Sequence, residues 1–241
     1  MVDAYEAVDR LRGGLIPVPA TPQLGVCDFC RNGAGEGYTR CYQCNKSRQL
    51  EPPNVLPITM EVLGSLIHDH LRNYKDSKNE LVRQWMGSRL AALLALFLDR
   101  HRSCVGDWDL VTCVPSVKRV ALEPIVRSVP ELARGYRQVL RERPGRPSHQ
   151  PSVEHFAVTY PVSGKRVLLL DDTFTTGAAL FSSTAAIRQE GGLVIGPVVI
   201  GRYVDPRWPP SEALLQWLCN ETWQDDRCAR CHGARPEGRL I

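Results

Sequence analysis

The residues best equipped for chemistry lie together in Val167-Leu-Leu-Leu-Asp-Asp-Thr-Phe-Thr-Thr-Gly-Ala-Ala179. Asp171 and Asp172 follow an apolar run of the kind that forms a strand buried on both faces of a parallel sheet. The carboxyl ends of such strands are where open α/β sheets bind ligands. Thr175, Thr176 and Gly177 then open a predicted helix over 178–189, stopped by Gly191-Gly192. A helix N-terminus offers unpaired N–H groups and partial positive charge, which suits a phosphate. Gly177 lets backbone approach a ligand without a Cβ, and the two threonines add hydroxyl donors. The adjacent carboxylates repel that phosphate, so their complement is a pair of ribose hydroxyls or a magnesium ion. A phosphate grip at one end and a diol grip at the other describe a ribose 5-phosphate. The stretch is neither a Gly-Lys-Ser/Thr phosphate loop nor a G-x-G-x-x-G dinucleotide turn.

The cysteines form a second constellation. Cys27-x-x-Cys30 and Cys41-x-x-Cys44 match a tetrahedral four-cysteine zinc ribbon, structural because four thiolates close the coordination shell. With Arg31, Arg40, Lys46 and Arg48 as its cations, the ribbon is a platform for a protein partner or for nucleic acid. The third pair, Cys228-Ala-Arg-Cys-His232, has the spacing of covalent haem attachment, but that needs an extracytoplasmic maturation route of which the chain gives no sign. Two readings stay open: a second zinc site from Cys219, Cys228, Cys231 and His232, or a tail of free thiols. Cys113, inside an apolar run, reads as a core residue.

Around these sites the elements fall into place by pattern. Residues 1–24, with Gly13-Gly14 and three prolines, read as a flexible lead-in, 25–50 as the ribbon, and Pro52, Pro53 and Pro57 as a linker. Residues 55–204 form the main domain and 205–241 a Trp- and Cys-rich extension. Thr59 is predicted to cap a helix running to about Tyr74. Ser77-Lys-Asn-Glu80 has capping-box spacing for a second helix through Arg100, with Leu81, Trp85, Leu93 and Phe97 as its core face. Leu110–Val114 reads as a buried strand, 120–140 as helical with breaks at Pro124 and Pro130, 143–151 as a loop, and Leu193–Gly201 as the next strand. Strand, loop, helix and strand at this spacing make a βαβ unit and an α/β class.

Composition bounds the rest. The 241 residues are 43% hydrophobic and 23% charged, which excludes a wholly disordered, collagenous or small disulfide-scaffold chain. The longest apolar run, Leu90–Leu98, falls short of the ~20 residues that span a bilayer, so no membrane is expected. With no basic, apolar leader at Met1-Val-Asp-Ala-Tyr-Glu and nine cysteines expected to be reduced, the expected compartment is the cytoplasm. Arg127, Arg134, Arg137, Arg141, Arg143 and Arg146 face only Glu131 and Glu142, an excess equal to the +4 of the whole chain; the segment is either a solvated helix face or an anion-facing surface.

Residues 167–179 closely resemble the phosphoribosyl pyrophosphate (PRPP) signature of type I phosphoribosyltransferases. The order of parts is similar to the ComF family, competence-associated proteins in which a four-cysteine zinc module precedes such a domain. His70-Leu-Arg-Asn-Tyr-Lys75 is similar to the basic-aromatic stretch that opens the ComF transferase domain. Val114-Pro-Ser-Val-Lys-Arg119 stands where the family has its pyrophosphate loop, and Arg134-Gly-Tyr-Arg-Gln138 resembles its Arg-Gly-Phe-Asn-Gln. The resemblance covers about residues 25–204, and only the thirteen-residue motif is highly specific. The chain departs from the family at Ala179, where a hydroxyl residue is usual, and at Arg137, which replaces an asparagine.

The resemblance implies a type I phosphoribosyltransferase-like parallel sheet flanked by helices, with the small four-cysteine zinc ribbon before it and the cysteine-containing tail after it. It implies Mg²⁺-dependent transfer of ribose 5-phosphate from PRPP to an unidentified base or amine, with release of pyrophosphate. Asp171 and Asp172 would hold the ribose hydroxyls and stabilise charge developing on the ring. Thr173, Thr175, Thr176, Gly177 and Ala178 would hold the 5-phosphate, with Lys75 also binding PRPP. Ser116, Lys118 and Arg119, with Mg²⁺, would take the leaving pyrophosphate. The basic loop 141–151 would close over the site, with His149 or His155 assisting. The rival is a non-catalytic PRPP-binding regulator or DNA-uptake accessory on the same fold. Sequence-specific DNA binding by the ribbon would need a reading helix that it lacks.

Overall fold

Val167–Leu170 is apolar at every position, and the computed structural model of the chain, which describes residues 4–19, 25–50, 55–116, 122–144 and 150–231, buries all four inside a parallel sheet. In chain order the elements are α1 (Ala4–Arg12), α2 (Tyr42–Lys46), β1 (Leu56–Val62), α3 (Leu66–Asp76), α4 (Glu80–Val105), β2 (Leu110–Cys113), α5 (Glu123–Ser128), α6 (Pro130–Gly135), β3 (Leu140–Glu142), β4 (Phe156–Val158), β5 (Arg166–Phe174), α7 (Ala178–Gln189), β6 (Leu193–Val194), β7 (Val198–Val204) and α8 (Glu212–Asn220). The main sheet runs β1-β7-β5-β2, all parallel, with β6 pairing the first residues of β5; β3 and β4 form a separate antiparallel ribbon.

The register creates an opening. β2 leaves β5 at the Cys113–Leu170 pair, whereas β7 accompanies β5 to Phe174 opposite Arg202. Asp171 and Asp172 therefore emerge just beyond the point where one flanking strand has ended, the place in an open α/β sheet where a crevice forms. One face of the sheet packs Leu56, Ile58, Leu168 and Leu170 against Val8 of α1, Leu71 of α3 and Leu93 of α4. The other packs Val167, Leu169 and Val199 against Leu180 and Phe181 of α7 and against the cysteine module. Each such aliphatic or aromatic side chain contributes about 1.5–3 kcal/mol when fully buried.

Several local expectations are corrected. Thr59 does not cap a helix: Leu56-Pro-Ile-Thr-Met-Glu-Val62 is a strand, and the helix begins at Leu66, capped by Ser65, whose Oγ accepts the His68 N–H at 3.3 Å. Pro57 is tolerated because β1 is an edge strand. The next helix is capped by Asn79, not Ser77, through Oδ1 accepting the Leu81 and Val82 N–H groups. On α4, Leu93 and Phe97 are buried, but Leu81 is 74% and Trp85 49% exposed, so the predicted core face holds only over the second half. By length and hydropathy α4 passes for a membrane-crossing helix, yet its Leu90–Leu94 and Leu96–Leu98 segments are buried inside the fold. Pro124 and Pro130 start helices rather than break one, as proline does in a first turn. The predicted lead-in contributes α1, with Val8 and Leu11 in the core.

Candidate functional site

A cavity of about 680 Å³ opens at the carboxyl ends of β1, β5 and β7 and the N-terminus of α7. Asp172 lies on the α3 side, where Lys75 Nζ is 2.5 Å from its Oδ2 and the Tyr74 hydroxyl donates to the same oxygen. Asp171 Oδ1 accepts the Asp172 N–H at 2.9 Å. Burial pushes the Asp171 carboxyl well above the usual carboxylate range, and the Asp172 charge pushes it the same way against partial relief from Lys75. A cation, or hydroxyl donors, placed on this pair would relieve it.

Across the cavity Thr173, Thr175, Thr176, Gly177, Ala178 and Ala179 form a continuous wall. Gly177 is forced there twice over. Its φ of +82° is left-handed, and a Cβ would sit 2.1 Å from the Phe174 ring and 2.7 Å from the Phe181 ring. The backbone thus meets the cavity bare, at the end of α7 where first-turn N–H groups lack intrahelical partners. That helix carries no acidic residue in its first turn, so nothing there opposes an anion. Ser116 also lines the cavity. Lys118 and Arg119 lie outside the described residues.

The rest of the wall includes Arg72, within the basic-aromatic stretch already noted, and three polar residues that sequence reasoning missed: Glu61, His68 and Tyr203. Glu61 is buried, its Oε1 is 2.8 Å from His68 Nδ1, and its Oε2 has no hydrogen-bond partner. Burial pushes its carboxyl up, against the hydrogen bond and charge of His68. His68 in turn packs its ring 6.0 Å from that of Tyr203. Reading 56–62 as a strand would have placed Glu61 at a strand's carboxyl end and exposed the signal.

Arg202 is the other omission. Buried on β7, it donates through Nη1 to the carbonyls of Phe174 (2.6 Å), Thr175 (2.9 Å) and Tyr203 (2.7 Å), through Nε to Cys30 O (2.9 Å), and through Nη2 to Cys30 Sγ (3.2 Å). One guanidinium thereby ties the Phe174–Thr175 backbone to the cysteine module. Cys27, Cys30, Cys41 and Cys44 converge with their sulfurs within 4.8 Å of one another and with Cys30 Sγ 3.6 Å from Cys41 Sγ. That spacing fits a tetrahedron with Zn–S of about 2.3 Å, whose edges are about 3.8 Å. Burial opposes ionisation of Cys30, but hydrogen bonds from the neighbouring thiols and the charge of Arg202 hold it well below the usual thiol range.

Other expected residues lie elsewhere. His155 is buried against Phe156 with Nε2 3.3 Å from Glu142 Oε1, and is not among the cavity's lining residues; His149 lies outside the described residues. Arg141 and Glu142, expected in the covering loop, belong to β3. Arg127, Arg134, Arg137, Arg141 and Arg143 do not line the cavity, and Arg127 pairs with Glu123 at 2.7 Å over the Tyr136 ring. Among the described residues Cys219, exposed on α8, does not join Cys228 and Cys231, which meet His101 and Cys104 instead; His232 lies outside the described residues. In the Trp-rich extension, Trp223 is buried with Nε1 donating to Ile58 O at 3.1 Å. Trp208 lines a smaller cavity of about 260 Å³ that shares Thr175, Thr176 and Tyr203 with the larger one.

No family model matches the chain. It is 27% identical over 144 residues to an orotate phosphoribosyltransferase of Mycobacterium avium (strain 104), an alignment covering 56% of this chain and 70% of that protein. It is 36% identical over 80 residues to an orotate phosphoribosyltransferase of Mycobacterium leprae (strain TN), covering 30% of this chain and 43% of that one. Among solved structures it is similar to a phosphoribosyltransferase from Corynebacterium diphtheriae, with 18% identity, a TM-score of 0.32, and coverage of 51% of this chain and 80% of the other.

Proposed function

We propose that the chain is a type I phosphoribosyltransferase that binds PRPP in the 680 Å³ cavity and transfers its ribose 5-phosphate to a nitrogen nucleophile, releasing pyrophosphate. The observation that carries this reading is the opposition, across one cavity, of a carboxylate pair and a bare helix N-terminus held open by a glycine no other residue can replace. The sequence similarity to two orotate phosphoribosyltransferases supports it. A ring nitrogen of a pyrimidine-like base is accordingly the first acceptor to try.

In this reading Thr175, Thr176 and the amides of Gly177 and Ala178 hold the 5-phosphate. Asp171 and Asp172 accept the ribose hydroxyls and stabilise positive charge on the ring as pyrophosphate leaves. Ser116 lines the cavity and takes the pyrophosphate, a role the family resemblance also assigns to Lys118 and Arg119. Lys75 balances Asp172 while the site is free of ligand. Asp171 and Asp172 are the carboxylates that would hold a Mg²⁺ ion, which would supply charge neutralisation for the departing pyrophosphate. Zn²⁺ in the four-cysteine module is structural and braces the phosphate loop through Arg202. The reading places the chain in the cytoplasm, where its thiols stay reduced.

Pyrophosphate release from PRPP, measured with Mg²⁺ and a panel of pyrimidine and purine bases and amines, is the test: acceptor-dependent release is expected. Ala179 favours a second reading, a PRPP-binding regulator without turnover, because it lines the cavity with a methyl group where a hydroxyl would contact phosphate. PRPP binding with no release for any acceptor would establish that reading instead.

A further inference from the structure

Cys228-Ala-Arg-Cys231 folds into a tight turn closed by its own backbone. The Cys228 N–H donates to Cys231 O at 3.0 Å, the Arg230 N–H lies 3.4 Å from Cys228 Sγ, and the two sulfurs are 3.4 Å apart. In the first module a backbone N–H also meets a cysteine sulfur, from Cys30 to Cys27 Sγ at 3.5 Å. Amide hydrogens aimed at sulfur stabilise thiolates, as the groups around a metal's own ligands do.

The turn does not stand alone. It meets α4 at His101 and Cys104, which three-residue spacing puts on one face of that helix. His101 Nδ1 is 3.3 Å from Cys231 Sγ, and the four donor atoms of His101, Cys104, Cys228 and Cys231 all lie within 4.8 Å of one another. The helix departs from regular geometry at this point, with φ −121° and ψ 25° at His101. Zn–S of about 2.3 Å and Zn–N of about 2.0–2.1 Å require neighbouring donors roughly 3.6–3.8 Å apart in a tetrahedron. The His101–Cys231 and Cys228–Cys231 separations, 3.3 and 3.4 Å, lie close to that requirement.

We propose that His101, Cys104, Cys228 and Cys231 form a second zinc site, which clamps the C-terminal segment to the end of α4. Three thiolates and one imidazole suit Zn²⁺ over harder cations. Four protein donors close the shell, so the site is structural. Binding releases three thiol protons and leaves the imidazole neutral, giving the centre a net charge of −1. Arg31 faces that charge: its Nη2 donates to Ala229 O, inside the turn, at 3.2 Å, while Nη1 donates to Asp28 O in the first module. Arg31 adopts a left-handed φ of +64° in doing so, and thereby links the two cysteine turns. From the other side, the Arg230 guanidinium donates to the Cys104 carbonyl. The proposal is independent of the reaction proposed above, because none of the four ligands lines the large cavity.

Metal analysis of the full chain, purified under reducing conditions, tests it. Two zinc ions per chain are expected, falling to one in Cys104→Ser and in His101→Ala, and staying at two in Cys219→Ser. Because a ligand variant can fail to fold, the parent protein supplies a second readout: Cys104, Cys228 and Cys231 should resist alkylation until a chelator is added, while Cys219 reacts at once. One zinc per chain with chelator-independent alkylation of Cys228 and Cys231 would overturn the site, as would a Cys228–Cys231 disulfide in the freshly purified protein. Loss of the second zinc in Cys219→Ser but not in Cys104→Ser would also overturn it.

Discussion

Arg202→Met separates the bracing of the phosphate loop from ordinary core packing. Methionine keeps much of the length and apolar stem but removes five donated contacts: four to the carbonyls of Cys30, Phe174, Thr175 and Tyr203 and one to Cys30 Sγ. It also removes a guanidinium 4.5 Å from the centroid of the Phe174 ring. Hydrogen bonds from a charged donor contribute about 1.5–3 kcal/mol each. Their sum overstates the loss, since Nη1 shares two hydrogens among three carbonyls and some of the freed carbonyls relax towards water. Removing one partner from a buried charged network costs about 3–5 kcal/mol. For a chain of this size that is a fall in Tm of about 10 °C. Two of the orphaned carbonyls belong to the loop that carries Thr175, so PRPP affinity should fall with the Tm, and zinc retention by the Cys27 module should weaken. Thermal unfolding with and without PRPP, alongside zinc content, reads all three. Arg202→Lys, with three donors for the same acceptors, should fall in between. A Tm within about 2 °C of the parent, or a lower Tm with PRPP affinity and zinc content unchanged, would refute the bracing role.

Gly177→Ala should unfold more easily by at least about 1–2 kcal/mol from its left-handed backbone alone and lose most PRPP affinity, because the new methyl group must displace the Phe174 ring; calorimetry and PRPP titration check both. Asp171 predicts a pH dependence. Its carboxyl is pushed up in the folded chain, so its contribution to stability is full below the ordinary carboxylate range near pH 4 and is lost as pH rises through the raised value. Asp171→Asn escapes that loss, and its advantage in Tm over the parent should grow as pH rises above the ordinary carboxylate range while PRPP binding disappears; a constant difference would contradict the shift. Binding of Mg²⁺ to the parent should strengthen over the same interval, because the cation needs the ionised form.

Where apolar pattern and chain direction decided the outcome, the sequence was legible. Val167–Leu170 could only be a buried strand, the Thr-Thr-Gly turn had to open a helix, and both C-x-x-C pairs of the first module met as their spacing required. The failures share a cause, which is that long-range partners overrode local cues. Thr59 looks like a cap, but its hydroxyl donates to Ile16 O at 2.8 Å, a residue 43 positions away, and the segment joins the sheet edge. Glu61 and His68 went unseen because that strand was unseen. His101 and Cys104 lie beyond the predicted helix end at Arg100, and only the longer observed helix and the returning C-terminal segment bring them together. Arg202 is one more arginine in a basic chain; only the crossing of β7 behind the phosphate loop makes it a hub. Leu81 and Trp85 have core spacing yet stay exposed on the first half of α4, where the indole meets the His70 ring and the Arg89 guanidinium, the latter 3.6 Å from its centroid.

Isothermal titration of the parent and of the Asp171→Asn, Asp172→Asn double variant with PRPP, each with and without Mg²⁺, bears most directly on the sugar-phosphate site. The parent should bind in a Mg²⁺-dependent manner, and the double variant should stay folded and show no measurable heat. Equal affinity in the two proteins would mean that the acidic pair does not hold the ligand.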